Sequence, residues 1–209
     1  MWTVRNGRQA DSGSAEPFRK HMARARKYLV SKEEIASKHP QYYATLVGFD
    51  TTLNLVDSQV RKDFNAGVRR YPNYYPLYFA MINHLMPKWH GGPGDIEAFA
   101  KAAVDATHVL EGEGMYARIY WFAAQNGYDD TLFFESFARW DRMRAGFEDV
   151  ISRYPDQWNL QNYAHFACEA GDAETVARLL PRLQSPIPEA WEGRASFAEC
   201  RHLAGQLSI

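Results

Sequence analysis

The sequence predicts an all-α protein. Apolar residues recur at helical spacing along nearly the whole chain. β-branched residues are scattered and never alternate long enough to make a strand. A block of helix, turn and helix also occurs twice, at residues 64–77 and 147–160. Together these predict roughly nine or ten helices joined by short loops.

The elements follow in order. Residues 1–16, "MWTVRNGRQADSGSAE", read as a polar arm. Pro17 sits where a first-turn proline belongs, and Phe18, Met22, Tyr28 and Leu29 make the apolar stripe behind it. A second helix starts near Gln41, after Pro40. A third follows over "SQVRKDFNAGVRRYP", with Val60, Phe64, Gly67 and Val68 at helical spacing. "YYPLYFAMINHLMPKW" is apolar nearly all round and should be buried. Asp95 can N-cap "IEAFAKAAVDATHVL", and "EGMYARIYWFAAQ" stops at Asn126-Gly127. Asp129 or Asp130 can cap one long helix over "TLFFESFARWDRMRAGFEDVISRYP". "QWNLQNYAHFACEA" ends at Gly171, "DAETVARLLPRL" follows, and the last helix begins near Pro188. Residues 17–209 thus read as a single helical-repeat domain.

In the repeat, Phe64 matches Phe147, Val68 matches Ile151, and Arg70-Tyr71-Pro72 matches Arg153-Tyr154-Pro155. Each copy ends a helix at Arg-Tyr, interposes a proline that cannot continue it, and starts a new helix. The interval leaves room for two helix pairs of about 40 residues each, the size of an α-solenoid repeat.

The totals bound the function. The chain has 209 residues, 46% apolar, with a net charge of -1. That suffices for a real core. It excludes a general nucleic-acid binder, which needs clustered excess cations. No run approaches the ~18 apolar residues of a membrane span, and the N-terminal stretch lacks the apolar core of a signal peptide. A cytoplasmic location is expected, or a periplasmic one if an anchor or signal was removed. The two cysteines, Cys168 and Cys200, are too few for a disulfide scaffold and read as small buried hydrophobes. A bridge between them would require an oxidising compartment. Aromatic residues reach 14% and Arg far outnumbers Lys, which fits an interaction surface and equally fits codon bias.

"LQNYAHFACEAGDAETVARLLPRLQSPIP" resembles a unit of the tetratricopeptide-like (TPR-like) helical repeat proteins. Leu160 and Ala164 lie on its first helix, Gly171-Asp172 at the turn, Ala177 and Leu180 on its second helix, and Pro188 closes it. "VRKDFNAGVRRYP" looks like the second half of another unit. Val176 and Leu183 depart from the family's usual alanines, and the turns vary in length. "YPLYFAMINHLMPKWHGG" and "MYARIYW" are similar to blocks in a group of uncharacterised bacterial proteins, a domain of unknown function with this kind of fold. The superfamily resemblance implies a solenoid of antiparallel helix pairs that binds a protein or peptide.

Motifs for chemistry are weak by comparison. "PKWHGGPGD" is glycine-rich but lacks the Lys and Ser/Thr of a phosphate loop, and an acidic Asp95 would repel an anion. It reads as a stop, turn and cap, with Trp89 as a packing plug. His84 and His90 do not share a helix face, and His108, His165 and His202 are isolated, so no metal site is expected. Glu111 and Glu113, Asp129 and Asp130, and Glu33 and Glu34 have sufficient explanations in loops, caps and solvated faces. No nucleophile elbow, zincin or dinucleotide fingerprint is present, and no cofactor is expected.

The candidate partner-binding residues are Tyr75, Tyr78, Trp89, His90, Tyr116, Arg118, Trp121, Asn162 and His165. Tyr, Trp and Arg are the usual anchors of protein interfaces, although most of these rings are expected to fill the space between helices. Asn162 and His165 form a polar pair three residues apart. Arg118 is expected to find an internal carboxylate, with Asp141 the named candidate. The resulting reading is a non-enzymatic protein- or peptide-binding scaffold or adaptor, of which an immunity protein in a bacterial secretion or toxin system is a special case. The alternative is an enzyme or small-ligand binder with a pocket near Trp89, His90 and the Tyr116–Trp121 block.

Overall fold

The computed structural model describes residues 12–89, 91–191 and 195–205. The described residues are helical with no strand among them. By its internal contacts the chain falls into two compact units, Met1–His84 and Leu85–Ile209.

The first unit contains α1 (Ser12–Ser31), α2 (Glu33–Ala36), α3 (Gln41–Thr52), α4 (Asp57–Arg70) and α5 (Tyr75–His84). Of the expected polar arm, residues 1–11 lie outside the described residues and 12–16 are already helical, so Pro17 falls inside α1. Helix α3 buries a broad face, including Tyr42, Tyr43, Leu46 and Val47. It packs against α1, α4 and α5. Gly67 makes the approach of α4 possible. A Cβ there would come within 2.6 Å of both Tyr43 and Leu77. Asp50, wholly buried on α3, is held by Arg26 of α1, whose Nη2 also donates to Asp63 of α4 at 3.2 Å. One guanidinium thus joins three helices, and burial still lifts the Asp50 pKa to about 6.

The second unit contains α6 (Pro93–Glu111), α7 (Gly114–Ala123), α8 (Leu132–Glu135), α9 (Trp140–Arg153), α10 (Gln157–Glu169), α11 (Ala173–Leu179) and α12 (Phe197–Gly205). The glycine loop is a turn and a cap. At Gly91 a Cβ would sit 2.0 Å from the Leu85 carbonyl oxygen, so only glycine lets the chain double back there. The N-cap of α6 is Gly92, not Asp95. Pro93 occupies the first turn, and Asp95 sits at the third position, where its carboxylate accepts the Gly92 N–H at 3.0 Å.

Three other expectations need correction. The long helix expected after Asp129 is two helices, because Ser136 is extended. Its hydroxyl donates to the Leu132 carbonyl at 2.6 Å and accepts the Ala138 N–H at 3.0 Å, replacing the bonds a continuing helix would supply. The last helix starts at Phe197 rather than near Pro188. A short 3₁₀ turn spans Pro188–Ala190, and Ser196 with Glu199 forms a capping box in front of α12. Cys168 and Cys200 are bonded to each other, with Cα atoms 5.5 Å apart, so they are not free buried thiols.

The sequence repeat reappears in the elements. Helices α4 and α9 have equivalent bounds, and Tyr71 and Tyr154 end them with nearly the same backbone angles, φ -137° and ψ 65° against φ -131° and ψ 70°. In both copies the Arg-Tyr-Pro corner ends the helix in the same way.

Candidate functional site

A pocket of about 450 Å³ opens in the second unit between α7, the turn that follows it, α10 and the Pro188–Ala190 turn. Helix α10 supplies its floor through Trp158, Asn162, His165, Phe166 and Glu169. These lie four, seven, eight and eleven residues beyond Trp158, so they share one face of the helix. Asp156 starts α10 by accepting the Asn159 N–H at 3.0 Å.

Aromatic rings make the apolar wall. Trp121 of α7 lies 5.9 Å from Phe147, 6.0 Å from Trp158 and 6.4 Å from Phe166, ring centre to ring centre. Trp158 remains 39% exposed, whereas Trp121 is buried. The lining continues into a kinked segment, Ala124–Tyr128, which follows α7 and is not helical at Gly127 (φ 166°). It delivers Ala124 and Gln125 to the pocket, and Asp129 follows at a left-handed φ of 41°. A non-glycine residue at such a φ costs of order 1–3 kcal/mol.

Polar groups within this frame lack partners. His165 is 5% exposed, and its Nε2 has no hydrogen-bond partner among the described residues. The nearest carboxylate oxygen, Glu169 Oε1, is 3.5 Å away. Burial pushes the His165 pKa down to about 4, so the ring is neutral at physiological pH. The Trp121 indole N–H is likewise buried without an acceptor among the described residues. Buried donors and acceptors are nearly always satisfied in folded proteins. Asn162 donates its amide to the Trp158 carbonyl at 2.8 Å, which leaves its side-chain oxygen as an acceptor.

The segment closing the pocket is tied to the same helix. Gln161 is wholly buried. Its side-chain oxygen accepts the Ile187 N–H at 2.7 Å and the Trp191 indole N–H at 2.9 Å, and its amide donates to the Ser185 carbonyl at 3.1 Å. Glu189 and Ala190 are thereby held over the pocket mouth. The disulfide fixes Cys168, one residue before Glu169, to α12.

Of the nine sequence candidates, Trp121, Asn162 and His165 meet in this pocket. The others do not join them. Tyr75 and Tyr78 belong to the first unit, and the buried Tyr78 donates its hydroxyl to the Pro72 carbonyl at 2.8 Å. Trp89 is half-buried away from the pocket lining, and His90 lies outside the described residues. Tyr116 is wholly buried. It and Tyr120 both donate to Oε2 of the buried Glu97, at 2.9 and 2.6 Å, while the Arg142 guanidinium lies 4.2 Å over the Tyr116 ring. Burial and the Glu97 carboxylate push the Tyr116 pKa up to about 12. Arg118 does find a carboxylate, but it is Glu111 at 3.8 Å, with the Tyr154 ring 5.4 Å beneath. Asp141 is taken by Arg139 at 2.6 Å.

Sequence reasoning missed Trp158, Phe166, Gln125, Asp129, Glu169 and Glu189. The α10 spacing would have given Trp158, Phe166 and Glu169 from Asn162 and His165. Among the described residues no group of three or more His, Cys, Asp or Glu side chains could hold a metal ion, and no helix is long and apolar enough to cross a membrane. The chain matches no family model, no curated protein and no solved structure.

Proposed function

We propose that the chain is a helical-repeat scaffold of the tetratricopeptide-like kind, and that it binds a segment of another protein, without catalysis, through the pocket of its second unit. One observation carries this reading: a 450 Å³ opening in which an exposed Trp158 stands beside the buried, unpartnered polar atoms of Trp121 and His165. An aromatic anchor surrounded by a few convergent polar groups is what a recognition pocket requires. The repeated Arg-Tyr-Pro corner at Tyr71 and Tyr154 supports the repeat architecture. The Cys168–Cys200 bond favours the oxidising, periplasmic alternative over the cytoplasm.

The test is selection of displayed random peptides on the full chain, followed by affinity measurement with Trp158→Ala and Asn162→Ala. Both variants should weaken the selected peptides at least about tenfold while leaving the helical circular dichroism unchanged. Selected peptides that bind both variants like the parent would move the binding site elsewhere.

A further inference from the structure

We infer that the pocket receives a cationic side chain, arginine or lysine, presented by an extended peptide; the inference rests on the peptide-binding reading above and names the chemistry of the bound segment. The charge of the lining points this way. Among the described residues that form it, Asp129, Glu169 and Glu189 are carboxylates and none is lysine or arginine. Asp129 and Glu189 are exposed at the rim, where they can meet a ligand cation without first being desolvated. Trp158, in the same lining, keeps 39% of its surface exposed, and tryptophan rings are the best side-chain partners for a cation. A planar guanidinium stacks there as well as attracting electrostatically.

The polar atoms deeper in the pocket fit the same occupant. The free side-chain oxygen of Asn162 accepts from an ammonium or guanidinium. His165 is neutral, so the deepest titratable group lining the pocket does not repel a cation. The buried Trp121 indole N–H needs an acceptor, which a bare amine does not bring. A peptide does, because each residue carries a carbonyl beside its side chain. This unsatisfied donor is the reason to choose a peptide over a small organic cation.

The experiment uses the full oxidised chain and pools of capped hexapeptides, randomised except at a central Arg, Lys, citrulline, Leu or Glu, with agmatine as a carbonyl-free guanidinium. The Arg and Lys pools should bind at least about tenfold more tightly than the citrulline, Leu and Glu pools. The preference should fall in the Asp129→Asn/Glu189→Gln double variant, in which asparagine still tolerates the left-handed φ at position 129. Raising the salt should weaken binding of the charged pools. Equal binding of the citrulline or Leu pools, lost on Trp158→Ala, would overturn the cation inference and leave the peptide pocket standing. Agmatine binding as tightly as the Arg pool would overturn the peptide source. Binding by none of the pools would overturn both readings.

Discussion

The side-chain oxygen of Gln161 accepts the indole N–H of Trp191 across 30 residues of sequence, at 2.9 Å. The same oxygen takes the Ile187 N–H, so one buried amide organises the segment that closes the pocket. Gln161→Leu leaves these donors without their acceptor. The expected cost is about 2–4 kcal/mol, the lower part of what two fully buried groups at roughly 1–3 kcal/mol each would give, because Ile187 and Trp191 are only half-buried. Urea unfolding measures it. Limited proteolysis should show new cleavage between residues 183 and 191 before the helices are cut.

His165 makes stability depend on pH with a definite sign. Its pKa falls from 6.5 to about 4 on burial, so the unfolded chain binds the proton more readily than the folded one. Its contribution is complete above pH ~6.5 and is lost as pH drops towards ~4, by up to about 3 kcal/mol. Asp50 acts oppositely, since its pKa rises from 3.8 to about 6. Its neutral form favours the folded state below pH ~4, and that advantage is lost as pH rises through ~6. The two slopes oppose each other between pH 4 and 6. Urea titrations across that range should show His165→Gln losing stability as pH rises, and Asp50→Asn losing it as pH falls.

Arg26 is the counter-ion that makes the buried Asp50 tolerable. Arg26→Met strands that carboxylate beside Asp63. The expected loss is about 2–4 kcal/mol at pH 8, below the range for fully buried pairs because Arg26 retains some exposure. The loss should shrink at pH 5, where Asp50 can take up a proton. Thermal melts at the two pH values decide it, and an equal loss at both would mean that packing, not charge, is what Arg26 supplies.

The disulfide closes a long loop, with 32 residues of separation between Cys168 and Cys200. Loop-closure entropy at that length corresponds to about 3–4 kcal/mol. Thiol titration of the unfolded, unreduced protein should find no free thiol, and reduction should release both. The Cys168→Ala/Cys200→Ala variant should melt at a lower temperature and loosen α12 first, which hydrogen exchange would show as early loss of protection from Phe197 onward.

The helices were largely legible, because their apolar stripes and turn residues are local signals. The Arg-Tyr-Pro corners were legible twice over, from proline and from repetition. The break at Ser136 was not. Phe133, Phe137 and Trp140 continue the helical spacing across it, while a single serine hydroxyl takes over the backbone bonds. Tyr116 and Arg118 looked like interface anchors by residue type, but Glu97 and Glu111 engage them within the unit. Asn162 and His165 drew notice by their spacing. Asp129 and Glu189 could not, since only tertiary packing brings a strained turn and a 3₁₀ turn to the same pocket mouth.

The bond between α10 and α12 has a mechanical side. Tension applied to the chain beyond α12 can unwind that helix only back to Cys200 and cannot go on to unravel α11, because Cys200 hands the load directly to Cys168. The residues between the two cysteines are bypassed and carry none of the pull. The force arrives one residue from Glu169, in the helix that carries Trp158, Asn162 and His165. In the oxidised protein, a tug from that side is therefore felt first at the floor of the pocket.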